Sequence, residues 1–156
     1  MMLVLSAILG LSMHQVDYTA AFVHVPMEED VYVEMSCGFQ EPGKVLELKQ
    51  SLYGLRQSPR NFFQHLKGKL ETIGFESAEE VDPCLFISDK VICLVYVDDT
   101  LFYSPKPKYI DEVIQQLHDQ VMELEEEHDV AGFLMVHIEK NEPKGTSTLT
   151  QTGLID

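Results

Sequence analysis

Residues 93–103, Cys93-Leu94-Val95-Tyr96-Val97-Asp98-Asp99-Thr100-Leu101-Phe102-Tyr103 (CLVYVDDTLFY), decide the fold. Apolar, β-branched and aromatic residues on both sides read as two strands, with an acid pair at their junction. Side chains alternate across a strand, so the carboxylates must either leave the core or be stabilised inside it. A hairpin whose tip carries both acids meets the first condition. Asp suits tight turns, because its side chain bonds the local backbone and tolerates unusual dihedrals. The same tip also suits a divalent cation, since hard cations take carboxylate oxygens and need only one or two from the protein.

A third acid in similar surroundings favours the cation. His14-Gln15-Val16-Asp17-Tyr18-Thr19-Ala20-Ala21-Phe22 places Asp17 at a strand end, followed by small residues and an aromatic rather than a usual turn sequence. With the two strands side by side, Asp17 and Asp98 can share a pair of metal ions. Such a pair activates an attacking oxygen and stabilises a leaving one, as phosphoryl transfer requires. Repulsion between the carboxylates makes the cluster costly without cations.

The remaining elements follow from pattern. Residues 2–10 suit an apolar helix ended by Gly10, and Met13 to Tyr18 a short strand. Pro26 with Glu28, Glu29 and Asp30 reads as a loop. Val31 to Met35 and Val45 to Leu48 read as a hairpin. Ser58 is the expected N-cap of a helix that begins at Pro59, runs to about Ile73 and stops at Gly74. Cys84 to Ser88 and Val91 to Val97 read as strands around Asp89-Lys90, and Leu101 to Tyr103 returns after the acids. A second amphipathic helix spans Tyr109 to Met122, then an acidic, solvated loop over Glu123 to Asp129. A final hairpin covers roughly 131–139 and 147–150. The fold class is therefore α+β: one domain with an antiparallel sheet and helices packed on one face, the acids at a strand end and a hairpin tip.

The 156 residues suit one domain with a core, and 45% apolar with 24% charged residues is a globular composition. A net charge of −15 argues against phosphate contacts, yet it is unevenly distributed. Between Asp111 and Asp129 stand eight acids and no Lys or Arg, whereas Lys44, Lys49, Arg56, Arg60, Lys67 and Lys69 face one acid, Glu47. Part of the surface is thus basic. Cys37, Cys84 and Cys93 form no CxxC, which excludes a disulfide framework or a cysteine zinc site and suits buried thiols in a reducing, cytoplasmic setting. The apolar start, Met1 to Leu11, lacks a basic n-region and is too short to span a bilayer. No membrane partner is expected. The six histidines show no metal spacing and are expected to be structural.

Tyr96-Val97-Asp98-Asp99 resembles the YxDD box of reverse transcriptases. Four further segments resemble, in order, those of Ty1/copia-type retrotransposon polymerases: Gln15-Val16-Asp17 through Ala21-Phe22, Ser51-Leu52-Tyr53-Gly54-Leu55-Arg56-Gln57-Ser58-Pro59-Arg60, Val81-Asp82-Pro83-Cys84-Leu85-Phe86, and Leu149-Thr150-Gln151 with Leu154-Ile155. A lone YxDD carries little weight; five ordered segments across nearly the whole chain carry much.

The resemblance implies a polymerase palm and RNA-directed DNA synthesis, in which a primer 3′-hydroxyl attacks the α-phosphate of a dNTP and pyrophosphate leaves. It implies Asp17 and Asp98 as principal ligands of two Mg²⁺ (or Mn²⁺) ions, with Asp99 nearby and the Tyr18 carbonyl completing a site. Phe22 falls at the sugar gate, which an aromatic ring closes to a 2′-hydroxyl. Gly54, Gln57 and Ser58 fall on the nucleotide and template side, and Arg56 and Arg60 toward template or incoming phosphate. The implied partners are a primed RNA or DNA template, a dNTP, and the family's other Pol segments (N-terminal fingers, thumb and RNase H), which this chain does not span. A palm with part of the fingers that works inside a larger protein is one expectation. A non-catalytic truncated remnant is another, and an acidic interaction domain a third. Phe133-Leu134-Met135-Val136 departs from the family's Phe-Leu-Gly, so the backbone there is expected to shift.

Overall fold

The computed structural model describes residues 1–120, 122–127, 132, 133, 136–141 and 146–151. In chain order it contains α1 (Met2–Leu9), β1 (Ser12–Tyr18), a short 3₁₀ helix (Ala21–His24), β2 (Pro26–Val33), β3 (Leu46–Gln50), α2 (Ser58–Thr72), β4 (Glu76–Ser77), β5 (Leu85–Ile87), β6 (Ile92–Tyr96) and β7 (Asp99–Ser104). It continues with α3 (Pro107–Asp119), β8 (Leu124–Glu127), β9 (Gly132–Phe133), β10 (Val136–Asn141) and β11 (Thr146–Thr150).

The main sheet has six strands in the order β4-β5-β6-β7-β1-β8, each neighbour antiparallel. Strand β1 therefore lies between the β6–β7 hairpin and β8. On one face Val16, Tyr18, Phe86, Cys93, Val95 and Phe102 meet Phe62, Leu66 and Leu70 of α2 and Ile110, Val113, Ile114 and Leu117 of α3. Three successive turns of α2 supply that stripe from positions 62, 66 and 70, the spacing of one helical face. Residues 53–57 form the turn that leads into α2. Ser58 Oγ donates to the Leu52 carbonyl at 2.6 Å, which fastens that turn.

Four expectations about the elements are corrected. Helices do not all pack on one face: Met2 and Leu3 of α1 join Met13, Leu101, Tyr103, Phe133 and Ile138 on the other. Ser58 is not the N-cap. Gln57 holds that position without a side-chain cap bond, because the Ser58 hydroxyl is spent on Leu52. Pro26 to Asp30 is strand, not loop. β2 and β3 form a separate two-stranded sheet with a register shift between Pro26 and Val31, where an unpaired edge tolerates proline and acids. The acidic loop contains β8, whose Leu124 is buried beside Met122 while its acids charge an outer edge of the sheet.

The last hairpin is realised as β10–β11, with β9 added beside β10. Leu134 and Met135, where the departure from Phe-Leu-Gly falls, lie outside the described residues, as do Val121, His128, Asp129, Leu154 and Ile155. The cysteines are free, with Cys93 buried, Cys84 half-buried and Cys37 exposed rather than buried. Among the described residues no helix is long and apolar enough to cross a membrane.

Candidate active site

Strand β6 ends at Tyr96 and β7 begins at Asp99, so Val97 and Asp98 are the two-residue tip of the hairpin. Of the two, only Val97 has positive φ, at 56°, a conformation that glycine normally fills. A β-branched residue there is strained by about 1–3 kcal/mol. Packing of Val97 against the helix-side core holds it. The unusual dihedral thus falls on the valine, and turn geometry alone does not account for an acid at position 98. The other described non-glycine residue with positive φ is Ala20, at 51°, just after β1.

Register then fixes the acids. Asp17 pairs with Asp99 on one side and with Glu125 on the other, and Tyr96 pairs with Asp99. Directly opposite residues share a face, so Tyr96, Asp99, Asp17 and Glu125 form one row across four strands. Asp17 is exposed, whereas Asp98 and Asp99 are half-buried. Gln15, two residues before Asp17 on the same face, places Nε2 3.4 Å from Asp99 Oδ1. The row lies at the open end of the α1 side of the sheet. Apart from Tyr96, its side chains offer carboxylate oxygens, which suit Mg²⁺ or Mn²⁺ rather than softer ions. Asp17, Asp98 and Asp99 are neighbours, but they are not a threesome with every ligand atom within 4.8 Å of the others.

The expected binding residues divide. Tyr18 turns its side chain into the core, against Phe62 at 5.4 Å between ring centroids, and burial raises its phenol pKa far above the usual range. Only its backbone is left for the role expected of it. Phe22 is buried between Tyr53, at 4.5 Å, and Phe62, at 6.0 Å. Gly54 is exposed at φ 92°, a dihedral only glycine adopts without strain. Gln57 is half-buried, and Ser58 is fully buried with its hydroxyl committed to Leu52. Arg56 and Arg60 are exposed, with no ion-pair partner among the described residues.

Tyr53 and Glu125 were not singled out from sequence. The Tyr53 hydroxyl pKa is raised by partial burial, then by the charges of Asp98 and Asp17, with the Ala21 backbone acting the other way. Tyr53, beside the Gly54–Ser58 turn, therefore lies in the electrostatic field of the acids. Its position inside the quoted Ser51–Arg60 segment was the available signal. Glu125 carried none, because an acid run without apolar alternation hides a strand. A pocket of about 270 Å³ lined by Tyr18, His24, His65, Lys69 and Glu123 opens on the helix side, away from the acid row.

A mixed α/β chain with a mostly antiparallel sheet and a carboxylate row beside a strained hairpin tip defines the class: a domain whose central strands end in carboxylates. The family model described as "Reverse transcriptase (RNA-dependent DNA polymerase)" matches residues 1–155. The chain belongs to that family, in its Ty1/copia-type branch. It is 35% identical over 105 residues, or 62% of its length, to the retrovirus-related Pol polyprotein from transposon TNT 1-94 of Nicotiana tabacum. It is 34% identical over 128 residues, or 76% of its length, to that from transposon RE1 of Arabidopsis thaliana. It is 26% identical over 129 residues to the transposon Ty1-GR1 Gag-Pol polyprotein of Saccharomyces cerevisiae. The chain spans only 8%, 9% and 7% of those three proteins.

Proposed function

We propose that this chain is the palm, with part of the fingers, of a retrotransposon reverse transcriptase, and that its acid row serves nucleotidyl transfer. The observation that carries the reading is the cross-strand pairing of Asp17 with Asp99 beside the Asp98 tip, in a chain that matches the family along its length. Asp17 and Asp98 are the residues that would hold two Mg²⁺ (or Mn²⁺) ions, assisted by Asp99 and the Tyr18 carbonyl. Such ions, when bound, make the primer 3′-hydroxyl a better nucleophile and offset charge on the triphosphate.

The reaction joins the primer 3′-oxygen to the α-phosphorus of a dNTP, breaks the bond to the β-phosphate and releases pyrophosphate, with the hydroxyl proton passing to solvent. Phe22 closes the space under the sugar, held in place by Tyr53 and Phe62. Gly54 lets the backbone approach the nucleotide, Gln57 and Ser58 belong to the same turn, and Arg56 with Arg60 offers exposed charge to template phosphates. The chain acts in a reducing, cytoplasmic compartment, as one part of a longer Pol protein.

Primer extension on an RNA template with Mg²⁺ tests this, with Asp98→Asn as control. Incorporation that depends on Asp98 is the expected result. If none occurs, and the amides of Asp17, Asp98 and Asp99 also fail to shift together on Mg²⁺ titration, the catalytic reading fails. If the amides shift without incorporation, the chain is a palm that binds metal and is inactive by itself.

A further inference from the structure

The helix side of β1 carries a second set of ligand-type side chains. His14 precedes Asp17 by three residues, so the two side chains leave opposite faces of the strand. His14 is only 6% exposed. Its Nδ1 lies 2.7 Å from Glu126 Oε1 on β8 and 3.9 Å from Asp111 Oδ1 on α3. One ligand atom from each residue lies within 4.8 Å of the other two, and among the described residues this is the group of three histidine, cysteine or acidic side chains that meets this spacing.

Three arguments favour a cation over a simple hydrogen bond. A neutral imidazole and two carboxylates balance the charge of a divalent cation. The Asp111 contact is too long for a hydrogen bond. Yet bonds of about 2.0–2.2 Å to one shared ion set ligand atoms about 3.3–3.6 Å apart, between the two separations observed. The three groups also come from three elements, and Asp111, with its side chain 55% exposed, opens the site to solvent for an entering ion and a water ligand. One nitrogen and two carboxylate oxygens suit a borderline ion such as Zn²⁺ better than Mg²⁺, which keeps to oxygen.

We propose that His14, Asp111 and Glu126 form a Zn²⁺ site that fastens α3 and β8 to β1, the strand that carries Asp17. The site is independent of the function proposed for the acid row on the opposite face.

The test is Zn²⁺ titration of the Asp17→Asn/Asp98→Asn chain, which removes competing ligands, read by the His14 ring resonances and by the unfolding temperature. The expected result is a His14 ring shift that saturates at one equivalent, a higher unfolding temperature, and no displacement by excess Mg²⁺. Asp111→Asn, on an exposed side chain, should keep the metal-free unfolding temperature and weaken Zn²⁺ binding by at least about tenfold. Glu126→Gln should do the same and stands in if Asp111→Asn does not fold. A silent His14 ring, equal displacement by Mg²⁺, or unchanged affinity in a folded variant overturns the site.

Discussion

Asp17 on β1 is the direct cross-strand partner of Asp99 on β7. Facing residues of an antiparallel pair hold their Cβ atoms about 4.5–5.5 Å apart, so the two carboxylates share one face and one field. Glu125 extends the row from β8, and Asp98 overhangs it from the hairpin tip. The charge density at this corner is a property of register, not of any single side chain.

Mg²⁺ should therefore raise the unfolding temperature of the wild-type chain, and Asp17→Asn should abolish most of that rise. In EDTA the variant should differ from wild type by no more than about 1 kcal/mol, because Asp17 is exposed and faces a like charge. Thermal melts with Mg²⁺ and with EDTA give both numbers. An equal Mg²⁺ response in the two proteins would show that the row does not gather cations.

Ser58→Ala should cost about 1–2 kcal/mol, since it leaves the Leu52 carbonyl without the hydroxyl that reaches it at 2.6 Å. The loss should be local to the turn. Amide exchange at Tyr53 to Gln57 should quicken more than exchange in the middle of α2. Uniform quickening along α2 would instead return Ser58 to a capping role.

His65 lies between α2 and the helix-side pocket, and burial, followed by the Lys69 charge, holds its imidazole below its usual pKa. The unfolded chain therefore binds this proton more readily than the folded one. Stability is complete above the unfolded value near 6.5 and falls as pH drops through it toward the lower folded value. His65→Gln should flatten the slope of stability against pH between about 7 and 5. Urea titrations at three pH values decide it: parallel slopes for the two proteins would rule this histidine out.

Arg56 and Arg60 should each contribute one phosphate contact. Replacing either with Gln should weaken binding of a primed template by a similar factor for all sequences and reduce the salt slope by about 1. Fluorescence anisotropy at several salt concentrations measures that slope. No change in slope for either variant removes the arginines from the template path.

Much of this is legible in the sequence. The apolar runs flanking Asp98 and Asp99 announced a hairpin, and the 62-66-70 spacing announced the buried face of α2. Asp17 was recognisable as a partner acid because a turn sequence did not follow it. Glu125 was not, because Leu124-Glu125-Glu126-Glu127 has too few apolar residues to show a period of two, and only pairing with β1 makes it strand. Tyr53 was hidden differently. Nothing local says that a tyrosine in a turn will feel the charge of carboxylates carried by two other segments.

Sequence by itself determined the family and most of the elements, and it singled out the three aspartates as candidates, since each rests on local pattern or ordered motifs. Tertiary structure decided which groups meet. It set Asp17 opposite Asp99, added Glu125 to their row, moved the turn strain from aspartate to Val97, and turned His14 toward Asp111 and Glu126 on the opposite face. The physical reason is that strand register and helix docking are fixed by burial of apolar side chains far apart in the chain. The polar groups those elements carry are placed as a consequence.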